Sequence, residues 1–446
     1  DETMELCAAS KPEQAGYHIH VAEGIEDLHD CLKNHGKRII DRLMDCNILG
    51  PKTLAAHCIY INKHEMELLK ETDTGFFRYI YSDINWESRM IGLIGPRGVG
   101  KTTLVLQHIK MNLNVSETLY VTTEDFYFSD NKLIDLADAF VKRNGKFLFI
   151  DEIHKYKDWA RELKLIYDYH PELNVVFTGS SVLDIRKGAS DLSRRAVMYH
   201  MQGLSFREYL QLFHQVTSRV CSLEDILSHK AELPEIKHPL PLFDDYLKRG
   251  YYPFSLEENF DLKLQQIVTH TLETDIPMYA GMNVSTGRKL KQLLAIIAKS
   301  VPFKPNMTSI SSALVSSRNN IADYCLFIEE AGLIIQLRDA TGGIRGLGKV
   351  DKIYLDNTNL IYSLASSNSN SGNIRETFFL NQLRLKYDVV VSPVADFRIG
   401  NYTFEVGGKK KGLKQIQGLD NAFIVKDSIE SGYLNTIPLW QFGLTY

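Results

Sequence analysis

Met90-Ile91-Gly92-Leu93-Ile94-Gly95-Pro96-Arg97-Gly98-Val99-Gly100-Lys101-Thr102-Thr103-Leu104 is the stretch that decides the fold. It opens with an apolar run short enough to be a buried strand. Gly95 to Thr102 then fits G-x-x-x-x-G-K-[ST] at every required position. Leu104, Leu106 and Ile109 follow at a spacing that suits a helix packed on a sheet. Glycines allow a turn that a Cβ would block, the loop amides point inward, and the helix N-terminus adds partial positive charge. On this reading Gly95, Pro96, Arg97, Gly98, Val99, Gly100, Lys101, Thr102 and Thr103 surround the phosphates of a nucleotide, ATP. Lys101 reaches the β- and γ-phosphates, and Thr102 offers its hydroxyl to Mg²⁺.

A second stretch lies about fifty residues on. Lys146-Phe147-Leu148-Phe149-Ile150-Asp151-Glu152-Ile153-His154 is an apolar strand that ends in two adjacent carboxylates. Asp151 suits the Mg²⁺ shell, and Glu152 suits the orientation or deprotonation of an attacking water. The plainer alternative is a carboxylate pair capping the next helix. Asn174 to Ser181 is another buried strand ending in small hydroxyl residues. Thr178 there either senses the γ-phosphate or caps a helix. Arg194 and Arg195, late in this region, either stabilise charge at the γ-phosphate or form a solvated basic turn.

Strands alternate with helices throughout, which predicts an α/β core with a mostly parallel sheet. The order of motifs resembles AAA-type ATPases. More narrowly, GPRGVGKTT, FIDEIH, TGSS, DLSRRA and GLSFREYL resemble a bacterial and archaeal group of such ATPases that carries a C-terminal domain of unknown function. The resemblance covers about residues 75 to 446. It implies ATP hydrolysis with Mg²⁺, with Glu152, Lys101, Arg194 and Arg195 in catalytic roles.

Four regions are expected: 1–74, an ATPase core at 75–204, a helical region at 205–340 and a C-terminal domain at 341–446. Apolar residues make up 44% of the chain and charged residues 24%, the balance of a soluble globular protein. The net charge of -4 gives no global basic field for nucleic acid. No apolar run has the length of a membrane span and no signal peptide is visible, so no membrane partner is expected. The six cysteines lack close paired spacing, which points to reduced thiols and a cytoplasmic protein.

The first region stands apart. Cys7, Cys31, Cys46, Cys58, His18, His20, His29, His35, His57 and His64 all precede Thr74, half of the chain's Cys and His residues. The chain begins at Asp1 rather than Met, which reads as processing or as a fragment. Tyr17–Glu23 and Thr53–Cys58 read as strands, and Glu26–Asp45 and His64–Lys70 as helices, a βαβα unit. HIHVAEG and LAAHC resemble two βα units of metal-dependent amidohydrolases, the deaminase and chlorohydrolase group. That likeness implies a metal ligand at His20, an acid/base at Glu23 and a site residue at His57. Two βα units do not close a barrel, so an inactive barrel fragment is expected.

Beyond the core, Leu204–Phe213, Phe243–Leu247, Leu262–Leu272 and Leu290–Lys299 read as helices, with a connector at Ser222–Pro241. Ser309–Val315, Arg318–Ala331 and Gly332–Leu337 give helix, turn, longer helix and strand, a winged-helix pattern. Ser316, Ser317, Arg318, Asn319 and Asn320 would then open a recognition helix for DNA, or the module would serve in packing. The last region is α+β. Glu376, Asp396, Glu405 and a following lysine resemble the PD-(D/E)xK nuclease constellation. That pattern places lysine two positions after the glutamate. Here the position is Gly407, and the nearest lysine is Lys409. A nuclease-like domain that binds DNA or a protein without cleaving is the expectation, with an ATP-gated nuclease as the alternative.

Overall fold

The computed structural model describes residues 18–21, 25–46, 48, 54–57, 75–179, 192, 194–280, 282–299, 302–339, 349–364 and 371–446. The chain separates into two compact units. One comprises residues 1–90, 102–151 and 162–177, the other residues 91–101, 152–161 and 178–446.

In the first unit, β1 (His18–Val21) pairs in parallel with β2 (Leu54–His57), His18 opposite Leu54 and Val21 opposite His57. Two helices, Ile25–His35 and Ile39–Asp45, stand where one was expected over 26–45. The break falls at Gly36, whose φ of +65° lies in the left-handed region that helix interiors exclude. Glu23 and the helix expected at 64–70 lie outside the described residues.

The core sheet contains β3 (Met90–Ile94), β4 (Thr118–Thr122), β5 (Phe147–Asp151), β6 (Asn174–Gly179) and β7 (Val197–His200), in the order β4-β5-β6-β3-β7. β4 pairs in parallel with β5, β5 with β6, and β3 with β7. β3 is buried along its whole length, and β5 and β6 nearly so. Continuous apolar strands of this kind are what a sheet covered on both faces requires. The helices Lys101–Asn112, Leu133–Val141 and Trp159–Tyr169 supply the crossovers between successive strands. β7 was not legible in advance: Val-Met-Tyr-His has no alternation, and its first residue is exposed.

The second unit builds a large apolar core beyond the sheet. The helix Phe206–His214 starts at a capping box, with Ser205 accepting from the Glu208 amide and Glu208 accepting from the Ser205 amide. Phe206, Phe243, Tyr246 and Phe378 meet edge to face and join that helix to Leu240–Arg249 and Ser371–Leu383. The helix expected at 262–272 runs from Phe260 to His270 and continues as a π-helical turn, Thr271–Asp275. The helices Met307–Ala313 and Arg318–Glu330 are followed by an antiparallel pair, β8 (Ile334–Arg338) and β9 (Val350–Leu355). This hairpin runs across the boundary expected at residue 340. β10 (Val389–Val391), β11 (Phe397–Ile399), β12 (Tyr402–Gly407), β13 (Ala422–Lys426) and β14 (Thr436–Pro438) form a mixed sheet in that order. Its first two pairings are antiparallel and its last two parallel.

One buried side chain fixes the turn after Leu240–Arg249. Asn359 donates to the carbonyls of Tyr246 at 3.2 Å and Leu247 at 3.0 Å and accepts from the Tyr251 amide at 2.9 Å. The Tyr246 carbonyl also accepts from the Gly250 amide at 2.7 Å, while Asn359 meets the Leu247 carbonyl near the helix end and the Tyr251 amide beyond it. Asn359→Ala is expected to destabilise the chain by about 3 kcal/mol, read as a lower urea midpoint with unchanged slope.

Candidate nucleotide-binding site

The loop between β3 and the helix Lys101–Asn112 is shaped by what surrounds it. A Cβ on Gly95 would lie 2.1 Å from the Met201 carbonyl oxygen, so no side chain fits there. The Met201 amide donates to the Ile94 carbonyl at 2.7 Å, which fixes that close approach. Gly98 has φ +84°, and a Cβ on it would lie 2.7 Å from the Phe254 ring. Gly100 has φ +95°. Val99 is fully buried, and Pro96 is buried. Lys101 is only 5% exposed, and its Nζ donates to the carbonyls of Gly95 and Pro96, each at 2.9 Å. Gly95 and Gly98 thus leave no room for a Cβ, and the positive φ of Gly100 strains any other residue there.

Thr102 and Asp151 come together in the first unit. The Thr102 hydroxyl donates to Asp151 Oδ2 at 2.7 Å, and the Tyr120 hydroxyl donates to the same oxygen at 2.8 Å. A hydroxyl and a carboxylate are the hard oxygen donors that suit Mg²⁺. Tyr120 was missed in the sequence. Its only signal was its place on β4, opposite Phe149 of the strand that carries Asp151.

Glu152 adopts φ 51° and ψ 38°, a left-handed conformation unusual outside glycine. Its amide donates to Thr178 Oγ1 at 3.3 Å. Its carboxylate lies 3.8 Å from Arg97 and 3.6 Å from His154 Nε2. Glu152 precedes the turn Ile153–Lys155 but makes no side-chain cap to it. Asp151 Oδ2 is engaged by two hydroxyls. The Glu152 carboxylate faces Arg97 and His154.

His154 is the second residue the sequence did not flag. Its side chain is 1% exposed. Burial first, then the charge of Lys155, hold the imidazole neutral down to about 3. Lys155 lies 3.5 Å from Asp275, which also faces His270 at 3.4 Å. Asp275 sits in the π-helical turn, a local distortion of the kind often found at functional positions.

The remaining candidates are more scattered. Thr103 is exposed on the first helical turn. Arg194 is exposed and Arg195 half-buried, both in the turn that leads into β7. Ser180 and Ser181 lie outside the described residues, as do the side chains of His20 and His57.

A second cluster lies in the second unit. Lys352 Nζ stands 3.5 Å from Glu376 and 3.6 Å from Asp396. The Tyr354 hydroxyl donates to Glu376 Oε2 at 2.7 Å. Asp396 Oδ2 accepts from the Val406 amide at 2.9 Å. Lys411 pairs with the buried Glu405. A Cβ on Gly407 would lie 2.7 Å from Lys411 Cγ, so the glycine leaves the room through which Lys411 reaches Glu405. The lysine that serves Glu405 is therefore Lys411 and not Lys409, because spacing along the sequence does not show where a loop folds back. Burial, then repulsion from Asp396, push the Glu376 carboxyl above its usual range. Burial also raises that of Glu405, against the opposing pull of Lys411. Among the described residues, no three His, Cys, Asp or Glu side chains stand close enough to hold a metal ion.

Residues 87–210 match the AAA domain family. The loop and the Asp151–Glu152 pair lie inside that span, and this part of the chain is similar to AAA domains. Residues 240–371 match a domain of unknown function, DUF8612. An uncharacterized protein of Methanocaldococcus jannaschii is 26% identical over 297 residues, 62% of this chain and 61% of that protein. A 5-methylthioadenosine/S-adenosylhomocysteine deaminase of Syntrophomonas wolfei is 40% identical over 63 residues, 14% of this chain and 15% of the deaminase. Among solved structures, a Walker-type ATPase of Pyrococcus abyssi aligns over 69% of this chain and 96% of its own, at 12% identity and a TM-score of 0.38. No described helix is long and apolar enough to cross a membrane.

The neutral His154 makes a prediction about acid. Its folded pKa lies below its unfolded value, so its contribution to stability is complete above pH 6.5 and is lost as pH falls toward about 3. His154→Gln should flatten the acid-side stability slope by up to about 1.4 kcal/mol per pH unit. Urea midpoints of both proteins between pH 4 and 7.5 check this; parallel profiles would contradict it.

Proposed function

We propose that the chain is a Mg²⁺-dependent ATPase whose hydrolytic cycle drives a conformational change in the regions that follow the core. The observation that carries this is the 2.7 Å hydrogen bond between Thr102 and Asp151, which brings together one residue from each of the two motifs. The loop amides and Lys101 hold the β- and γ-phosphates, with Arg97 and Thr103 at the rim. Thr102 and Asp151 hold Mg²⁺, which when bound neutralises charge on the phosphate oxygens. Glu152 orients the attacking water and accepts its proton. Thr178 holds the Glu152 backbone, and Arg194 or Arg195 completes the site from the turn before β7.

The surroundings of the loop support coupling. Gly98 meets Phe254, and a Cβ on Gly332 would lie 2.6 Å from Pro96 Cγ. Residues 254 and 332 both fall within the DUF8612 match. A change of loop shape on nucleotide exchange thus meets the helical region directly.

The partner is DNA or a protein. Residues 317–320 are all exposed at the start of Arg318–Glu330, where a winged helix presents its recognition face. The C-terminal domain is read as nuclease-like and non-cleaving, a second docking surface. The first region is read as a fragment of a deaminase-like barrel, on the strength of its parallel β1–β2 pair and the short deaminase matches. No activity is proposed for it.

Steady-state ATP turnover on the full chain tests this reading. Glu152→Gln should bind ATP and lose turnover by about 100-fold. Lys101→Ala should weaken binding at least about tenfold. Turnover unchanged in both variants would overturn the assignment. Binding without turnover in the unmodified chain would make it a nucleotide switch.

A further inference from the structure

We propose that His154 is a positioning residue for Glu152: its buried imidazole takes up the Glu152 carboxylate once nucleotide fills the loop, and so orients the oxygen that receives the proton of the attacking water. This role deepens the reading of Glu152 as the base of an ATPase, and rests on it. His154 variants are ranked against one another, so the role can fail while Glu152 remains essential to turnover.

A polar ring out of solvent calls for hydrogen bonds. The side chain of His154 is 1% exposed, and among the described residues neither ring nitrogen has a hydrogen-bond partner. Orphaned polar atoms in a buried side chain are costly, and space-filling alone would be served by a phenylalanine. Glu152 Oε2 stands 3.6 Å from His154 Nε2, just past hydrogen-bond distance. A small rotation of the Glu152 side chain closes that gap. With its proton on Nε2, the neutral ring then donates to the carboxylate.

The turn that carries the imidazole is held at both ends. The Glu152 amide donates to Thr178 Oγ1 at 3.3 Å, and Lys155 stands 3.5 Å from Asp275. Within the turn the Lys155 amide donates to the Glu152 carbonyl at 2.9 Å. The carboxylate is therefore the partner that moves, and its side chain is 17% exposed. Glu152 also faces Arg97, at 3.8 Å. Arg97 belongs to the phosphate loop, and a phosphate offers a guanidinium the stronger, bidentate partner. Nucleotide thus draws Arg97 away and leaves the carboxylate to His154. The exchange suits a base. A cation beside a carboxylate favours the charged form and so weakens it as a proton acceptor. Burial keeps the His154 imidazole neutral, and a neutral N–H orients a carboxylate with less of that loss.

The experiment measures ATP turnover by full chains, together with their affinity for the non-hydrolysable analogue adenylyl imidodiphosphate with Mg²⁺. Glutamine places an amide where histidine has Nε2, asparagine places one where it has Nδ1, and phenylalanine fills the space with no donor. His154→Phe and His154→Asn should lower kcat at least about tenfold, with analogue affinity within about twofold of the unmodified chain. His154→Gln should keep kcat within about threefold. A space-filling role reverses the order, with His154→Phe the most active, and that order overturns the proposal. Equal kcat in the asparagine and glutamine variants also overturns it. Should His154→Phe fail to fold, those two variants decide by the same rule. A second readout is the ring ¹⁵N spectrum of His154. Its Nε2–H signal should move when the analogue binds the unmodified chain and stay in place in Glu152→Ala; a signal unmoved in the unmodified chain overturns the proposal. Absence of turnover in the unmodified chain removes the ATPase reading and this role with it. Turnover that is lost on Glu152→Gln yet indifferent to the His154 variants removes this role alone.

Discussion

A buried ammonium group must be met by oxygen, and the candidate site is built around one that is. Lys101 is almost out of solvent, and its charge is taken up by two carbonyls of the loop that precedes it. Charged hydrogen bonds of this kind contribute about 1.5–3 kcal/mol each. The loop can offer those carbonyls only because Gly95 has no side chain. With Met201 oxygen where a Cβ would stand, the backbone has one path, and Lys101 has one place to go.

From that constraint the rest of the second unit follows in steps. The loop leans on the chain after β7 through Gly95 and Met201, and on the helical region through Gly98 and Phe254. It leans on the turn before β8 through Pro96 and Gly332. β8 pairs with β9, and β9 carries Lys352 to the carboxylate cluster. An unbroken run of close contacts and paired backbone thus leads from the phosphate loop to the C-terminal acidic site.

Much of this was legible in the sequence because its signals were local. The loop motif, the apolar strand into Asp151-Glu152 and most core helices depend on neighbours in the chain, and they stand within a few residues of their expected places. What was not legible depended on distant partners. Tyr120 reaches Asp151 because β4 lies beside β5. His154 is titratable by type but neutral by burial. The lysines of the acidic cluster were misread because Lys411 returns through space opened by Gly407, while Lys352 arrives from another strand. The break at Gly36 was visible as a glycine between polar neighbours, His35 and Lys37.

The central claim is that the loop from Gly95 to Thr102 closes on a nucleotide and that its packed neighbours respond. Hydrogen exchange of the full chain carrying Glu152→Gln, with and without saturating Mg²⁺ and ATP, addresses both halves at once. The account predicts slowed exchange over residues 95–104, with altered exchange around Phe254 and the Gly332 turn. Unchanged exchange over residues 95–104 at saturating nucleotide would contradict it.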